Sequence, residues 1–341
     1  MSKRISDIGE FGLIDRIHKL LQKEGIRNTG VALDMGDDAA SILPRAGYEL
    51  LITCDVLVED RHYLPGHTGP YDLGRRAMTV NISDIGAMGG LPLYALVSLG
   101  LKGNTPVREV ERMYQGFLRE LNPFEASIIG GNLTSVETAG FIDITLIGEV
   151  RIGKCVRRST AKTGDVILVT GYPGQAAAGL QLLRRSKRTE KLDDHPLVRA
   201  YKTPTHRARE GHAVAQTGAV HAMIDTSDGL LADLGHICKE SGVGAVLNQE
   251  ELPLAKELRL VAQHFERDPY ELILEDSDDY ELIITCPEDR ANEIVSTIAA
   301  VSDAPVTEVG RIYEPEKGIL LKSPNGSLRR LALRGWDHFK T

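Results

Sequence analysis

The residues of this chain whose types and spacing could do chemistry lie in short acidic motifs. These are Gly36-Asp37-Asp38-Ala39-Ala40, Thr53-Cys54-Asp55, Asn81-Ile82-Ser83-Asp84, Asp225-Thr226-Ser227-Asp228-Gly229 and Asp276-Ser277-Asp278-Asp279-Tyr280-Glu281. Aspartate is a poor residue inside helices and strands. Here it recurs beside small residues at what read as strand ends, where α/β proteins place ligand sites. Taken singly, each motif is equally well explained by an N-cap or turn carboxylate, and Asp228 could do no more than cap the helix that follows it. Their recurrence favours a shared chemistry. Grouped carboxylates bind hard divalent cations, which bridge them to phosphate oxygens. Magnesium-assisted phosphoryl transfer needs that arrangement, because its catalysis is mainly positioning and charge neutralisation. The chain carries no GxxxxGK[ST] loop, no kinase-type glycine loop and no HExxH, and its ten histidines form no metal-binding pair.

Alternating elements must position these motifs. Residues 9–21 have helical spacing, with Phe11, Ile14, Ile17 and Leu21 on one face. Strands are predicted at 49–53, 93–101, 126–129 and 140–150, with helices at 73–88 and 107–121. A basic, weakly apolar stretch at 151–162 marks a boundary, giving domains 1–150 and 151–341. The second half reads as a strand at 165–170, a Gly-Tyr-Pro-Gly turn and an alanine-rich helix from Gln175. Further strands are predicted at 220–224, 243–247, 280–285 and 306–311, with helices at 229–241 and from Leu254 and Pro287. The class is α/β (α+β), in two domains.

Composition narrows the function further. Apolar residues make up 42% of the 341, enough for sizeable cores. A formal charge of −8 argues against non-specific binding to nucleic acid or a membrane surface. The cysteines Cys54, Cys155, Cys238 and Cys286 are widely spaced and form no CxxC pair, which speaks against structural zinc and disulfides and for a cytoplasmic location. Charges occupy the N-terminal stretch where a signal peptide needs its apolar run.

The order of the motifs resembles the thiamine-monophosphate kinase family, relatives of aminoimidazole ribonucleotide synthetase. The resemblance runs from Gly9-Glu10-Phe11 through residues 36–39, 53–58 and 77–89 to Gly130-Gly131 and Arg158-Ser159. It continues through 224–234, Asp279-Tyr280-Glu281-Leu282 and Gly335-Trp336-Asp337-His338-Phe339. It implies a two-domain aminoimidazole-ribonucleotide-synthetase-like fold, with an N-terminal sheet domain that dimerises and a C-terminal α/β domain completing a cleft for ATP. It implies ATP-dependent phosphorylation of thiamine monophosphate in a homodimer, with several Mg2+ ions and ATP as co-substrate.

By the same resemblance, Asp38, Asp55 and Asp84 match magnesium ligands of the first domain. Thr53 and Cys54 assist through backbone or hydroxyl groups, and Asn132 stands at a further metal position. Asp225 and Asp228 match metal ligands of the second domain. Gly131, Asn132, Arg158 and Ser227 fall where the family contacts ATP, and His62, Asp278 and Trp336 where it contacts substrate. The sequence departs from the family at Asn132, usually aspartate, at Asp276-Ser277, usually a glycine pair, and at Asp60, commonly glycine. Those departures keep two alternatives open: a related ATP- and magnesium-dependent enzyme with another acceptor, or a catalytically weak nucleotide-binding paralogue.

Overall fold

The computed structural model describes residues 3–35, 37–185 and 192–332. They fall into two compact units, one from the residues up to Ile85 with Gly90–Ile152, the other from Gly86–Gly89 with the residues from Gly153 onward.

The first unit runs α1 (Ile5–Glu24), β1 (Val31–Leu33), β2 (Ser41–Ile42), β3 (Tyr48–Val58), α2 (Pro70–Ala87), β4 (Leu91–Leu101), α3 (Val107–Leu121), β5 (Ser127–Ser135) and β6 (Phe141–Arg151), with the end of α2 belonging to the second unit. Its main sheet has the order β3-β6-β4-β5, antiparallel except for the parallel pair β4 and β5. Period-two alternation gives the sheet two different faces. Leu51, Leu57, Val97, Leu99, Ile142, Ile144 and Leu146 of the sheet are buried, as are Met78 and Ile82 of α2 and Phe117 of α3. On the other face of β3, Leu50, Ile52 and Val56 are exposed, Ile52 at 68%.

Several details differ from expectation: strands β1 and β2 were not predicted, and β3 runs on to Val58, beyond the predicted end at 53, so that Asp55 lies within the strand rather than at its end. Helix α1 buries Leu13 and Ile17, while Phe11 and Ile14 are exposed, because the stripe that packs on α3 is offset from the predicted one. Strand β5 does not stop at its glycine pair: it continues through Gly130-Gly131-Asn132, with Asn132 opposite Ser98. A Cβ at Gly131 would lie 1.9 Å from the Val97 carbonyl oxygen, so the glycine permits the close approach that keeps pairing intact.

The second unit runs β7 (Val166–Thr170), α4 (Gln175–Arg185), α5 (Pro196–Lys202), α6 (Ala208–Thr217), β8 (Ala222–Asp225), α7 (Leu230–Ser241), β9 (Gly244–Asn248), α8 (Lys256–His264), α9 (Pro269–Leu274), β10 (Leu282–Cys286), α10 (Ala291–Ala299), β11 (Val306–Tyr313), β12 (Ile319–Lys322) and β13 (Leu328–Arg330). Its sheet has the order β13-β12-β9-β11-β7-β10-β8. Both faces are covered. Ile167, Val169, Ile224 and Ile283 pack with Leu234 of α7 and Leu258 of α8. Val166, Leu168, Met223 and Ile284 pack with Val214 of α6 and with Ile294 and Ile298 of α10. The unbroken apolar runs of β7 and β10 follow from that two-sided burial. Because β7 and β8 both pair antiparallel to β10, their C-terminal ends lie beside its start, with Leu282 opposite Asp225. Among the described residues no helix is long and apolar enough to cross a membrane.

Candidate active site

In the first unit the carboxylates converge between β3 and α2. Thr53 and Asp55 alternate onto the same face of β3. The Thr53 hydroxyl donates to Asp84 Oδ2 at 2.5 Å. Burial, then the charge and hydrogen bonding of Asp84, push the Asp55 carboxyl up to about 7. Two acidic groups crowded in this way share a proton unless a cation intervenes. The donor set of carboxylate and hydroxyl oxygens suits a hard divalent ion such as magnesium.

Cys54 points the other way. Its Sγ donates to Asp143 Oδ1 at 3.2 Å and accepts from Thr145 Oγ1 at 3.5 Å, on the face opposite Thr53 and Asp55. The Thr145 bond favours the thiolate, but burial and Asp143 outweigh it and the thiol titrates above its ordinary value. Only the Cys54 main chain is thus placed beside the carboxylates. Asp38 is exposed in the segment between β1 and β2. Asn132 is exposed on β5, and Gly131 precedes it against Val97.

His62 follows β3 in a tight turn. The Val58 main-chain N–H donates to its Nδ1 at 3.0 Å, and its own N–H returns to Val58 O at 2.9 Å. As an acceptor, Nδ1 leaves the ring proton on Nε2 in the neutral imidazole. Asp60 in this turn has φ 65°, which explains the glycine common in the family: the turn needs a left-handed residue, and aspartate tolerates the region better than most.

In the second unit, loops at the ends of β7 and β8 and before β10 gather. Thr226, fully buried, donates its N–H to Glu281 O at 2.7 Å and accepts from Tyr280 N–H at 2.9 Å through its carbonyl. Its hydroxyl oxygen accepts from Glu281 N–H at 3.0 Å. The two acidic loops are therefore laced together. Asp225 ends β8 at 5% exposure, Ser227 is exposed and Asp228 is half-buried. Asp228, Asp233 and His236 bring one ligand atom each to within 4.8 Å of one another. Burial, then the charge of Asp225, lift the Asp233 carboxyl to about 8.

The motif at 276–281 divides by role. Asp279 accepts from Gly174 N–H at 2.6 Å and Ala176 N–H at 2.8 Å, holding the start of α4. Ser277 Oγ accepts from Ala177 N–H at 3.1 Å. The Gly-Tyr-Pro-Gly turn and helix start, a geometry suited to a phosphate, thus receive the protein's own carboxylate instead. Glu281 takes both arms of the Arg207 guanidinium at 2.6 Å and the Thr170 hydroxyl at 2.6 Å. Neither Asp276 nor Ser277 has a positive φ, so losing the family's glycine pair strains nothing here. Asp278, half-buried, is flanked by these anchored neighbours.

Arg158 lies at the opposite end of β8 from Asp225: Arg157 bridges Ala222, the first residue of β8, and Arg158 O accepts from Ser241 Oγ at 3.0 Å. Trp336 lies outside the described residues. Sequence reasoning missed Asp233, His236 and Arg207 altogether. The i, i+3 spacing of Asp233 and His236 beyond Asp228 on one helix was the available signal.

Residues 36–150 match the AIR synthase related protein N-terminal domain and residues 162–322 its C-terminal domain. The chain is therefore a two-domain AIR-synthase-related protein, with the α/β architecture the resemblance implied. Thiamine-monophosphate kinase of Aquifex aeolicus is 34% identical over 98% of this chain and 100% of its own length. That of Bacillus subtilis is 31% identical over 96% and 99%. The crystal structure of thiamine-monophosphate kinase from Stenotrophomonas maltophilia superposes with a TM-score of 0.80 at 32% identity, covering 92% of this chain and 96% of that one. AaThiL complexed with AMPPCP and TMP superposes at 0.76 with 34% identity, covering 99% and 100%. Hydrogenase maturation protein HypE, 20% identical, shares the fold at a TM-score of 0.74 over 94% of this chain and 98% of its own. The chain belongs to the thiamine-monophosphate kinase family.

Proposed function

We propose that this chain transfers the γ-phosphoryl group of ATP to the phosphate of thiamine monophosphate, giving thiamine diphosphate and ADP. The observation that carries the reading is the crowded Asp55–Asp84 pair with the Thr53 hydroxyl, in a chain similar end to end to thiamine-monophosphate kinases. Asp38, Thr53, the Cys54 main chain, Asp55, Asp84 and Asn132 would hold magnesium in the first unit, and Asp225 and Asp228 in the second. Gly131, Asn132, Arg158 and Ser227 would contact ATP, and His62 and Asp278 the acceptor. Magnesium would supply neutralisation of the charge on the transferring group.

The chain's own residues have a positioning task. The acceptor phosphate is ionised at neutral pH, so no strong general base is needed, and direct in-line transfer suffices. Carboxylates alone would repel both substrates; with cations they orient them. His62, anchored through Nδ1 to the Val58 main chain, is the imidazole this reading places beside the acceptor. We assign the protein to the cytoplasm and to a homodimer formed through the face of β3 bearing Leu50, Ile52 and Val56, apolar groups that a partner would cover. Light scattering would give a dimer mass, and Ile52→Lys a monomer.

Purified protein incubated with ATP, Mg2+ and thiamine monophosphate should yield thiamine diphosphate by chromatography. No thiamine diphosphate, with ATP still bound, would sink the reading and favour a nucleotide-binding role.

A further inference from the structure

Asp233 sits in the first turn of α7 and is 2% exposed. Its Oδ2 accepts from the main-chain N–H of Asp228 and from that of Gly229, each at 3.0 Å. An aspartate there commonly ties down the loop before a helix and is favoured by the helix dipole. Two features exceed that role. The N–H it holds belongs to Asp228 itself, so the bond sets the direction in which that carboxylate leaves the main chain. A ligand oxygen of Asp233 also stands within 4.8 Å of one from Asp228 and of a His236 ring nitrogen. A mere cap gains nothing from crowding another carboxylate, whereas a divalent cation is held better by the added negative field. The loop has no slack on its other side. Gly229 has φ +108°, and a Cβ there would lie 2.5 Å from the Glu275 carbonyl oxygen.

We infer that Asp233 is the positioning residue of this loop: it fixes Asp228 for a divalent cation and supplies a second carboxylate charge to the site once the ion is bound. The inference rests on the assignment of Asp228 as a magnesium ligand. Asp233→Asn keeps an oxygen for both N–H groups and removes the charge; Asp233→Ala removes both. The magnesium concentration for half-maximal rate, at saturating ATP and thiamine monophosphate, should rise about tenfold in Asp233→Asn and further in Asp233→Ala. Binding of Mn2+ alone, followed by loss of the free-ion electron paramagnetic resonance signal, should weaken in parallel. The KM for thiamine monophosphate at saturating magnesium should stay within about twofold, and the melting temperature of metal-free Asp233→Asn should not fall. An unchanged metal requirement and Mn2+ affinity in Asp233→Asn would reduce Asp233 to a cap and overturn the inference. Asp228→Asn separates the two claims. If it weakens Mn2+ binding and Asp233→Asn does not, the positioning role alone fails; if it leaves Mn2+ binding intact, the metal assignment fails and the inference with it.

Discussion

In the loop that enters β10, Asp279 and Glu281 face the protein's own donors; in the loop that leaves β8, Asp228 lies against a second carboxylate, Asp233 of α7. Asp279 and Glu281 accept from main-chain N–H groups, a hydroxyl and a guanidinium. Asp228 and Asp233 crowd together beside His236, as Asp55 crowds Asp84 in the first unit. The difference assigns work. On the proposed reading, Asp279 and Glu281 hold the fold, whereas Asp228 and Asp233, although Asp233 also accepts two main-chain N–H bonds, form a carboxylate pair whose repulsion a cation would relieve.

Substitutions at the two kinds of carboxylate should separate activity from stability. Asp84→Asn or Asp225→Asn should lower kcat/KM by roughly a thousandfold or more, with a melting temperature no lower than wild type in metal-free buffer. Wild-type kinetics in either variant would erase the distinction. Glu281→Ala should do the reverse. It leaves the largely buried Arg207 guanidinium, 15% exposed, with Glu210 at 3.5 Å as its remaining ion-pair partner among the described residues, and should cost about 3–5 kcal/mol of unfolding free energy by urea titration. A stable, inactive Glu281→Ala would instead place Glu281 among the reacting groups.

The pH dependence of stability offers a finer cut. The carboxyls of Asp55 and Asp279 are raised from 3.8 to about 7, and that of Asp233 from 3.8 to about 8, in each case chiefly by burial. A raised carboxyl means the folded state binds the proton more tightly than the unfolded chain. The stability this lends is complete below about pH 4 and is lost as the pH rises through about 7 to 8. Metal-free protein should therefore melt lower at pH 8 than at pH 5. Saturating magnesium-ATP should raise the melting temperature at pH 8 and recover the share belonging to Asp55 and Asp233. Asp279→Asn should flatten the share that magnesium leaves. A magnesium-ATP complex whose melting curve is unchanged at pH 8 would break the comparison.

Much of this was legible in the residues. Helix 107–121 was placed to the residue, and the strands at 93–101 and 165–170 to within two. Period-two and helical patterning set those elements, and the order of acidic motifs pointed to the family. The division of labour among carboxylates was not legible. Asp278, Asp279 and Glu281 are neighbours in sequence, and only tertiary partners over a hundred residues away at Gly174 and Ala176 show that Asp279 is a cap. Strand β5 through Gly130-Gly131 was hidden for the same reason: glycine signals a break locally, and its use against Val97 depends on the neighbouring strand.

The smallest effect expected sharpens the same contrast in the first unit. Thr53-Cys54-Asp55 places three oxygen- or sulfur-bearing side chains in a row, yet pleating sends the thiol to the face opposite its neighbours, beside Asp143 and Thr145. A thiol titrating above its ordinary value carries little thiolate at neutral pH, and sulfur is a soft ligand ill matched to magnesium. Cys54→Ser should therefore leave kcat and the half-saturating magnesium concentration within about twofold, since the main chain is unaltered and the hydroxyl can keep the Asp143 bond. A tenfold higher magnesium requirement in Cys54→Ser would bring the side chain into the metal set, and the two faces of β3 would no longer divide the labour.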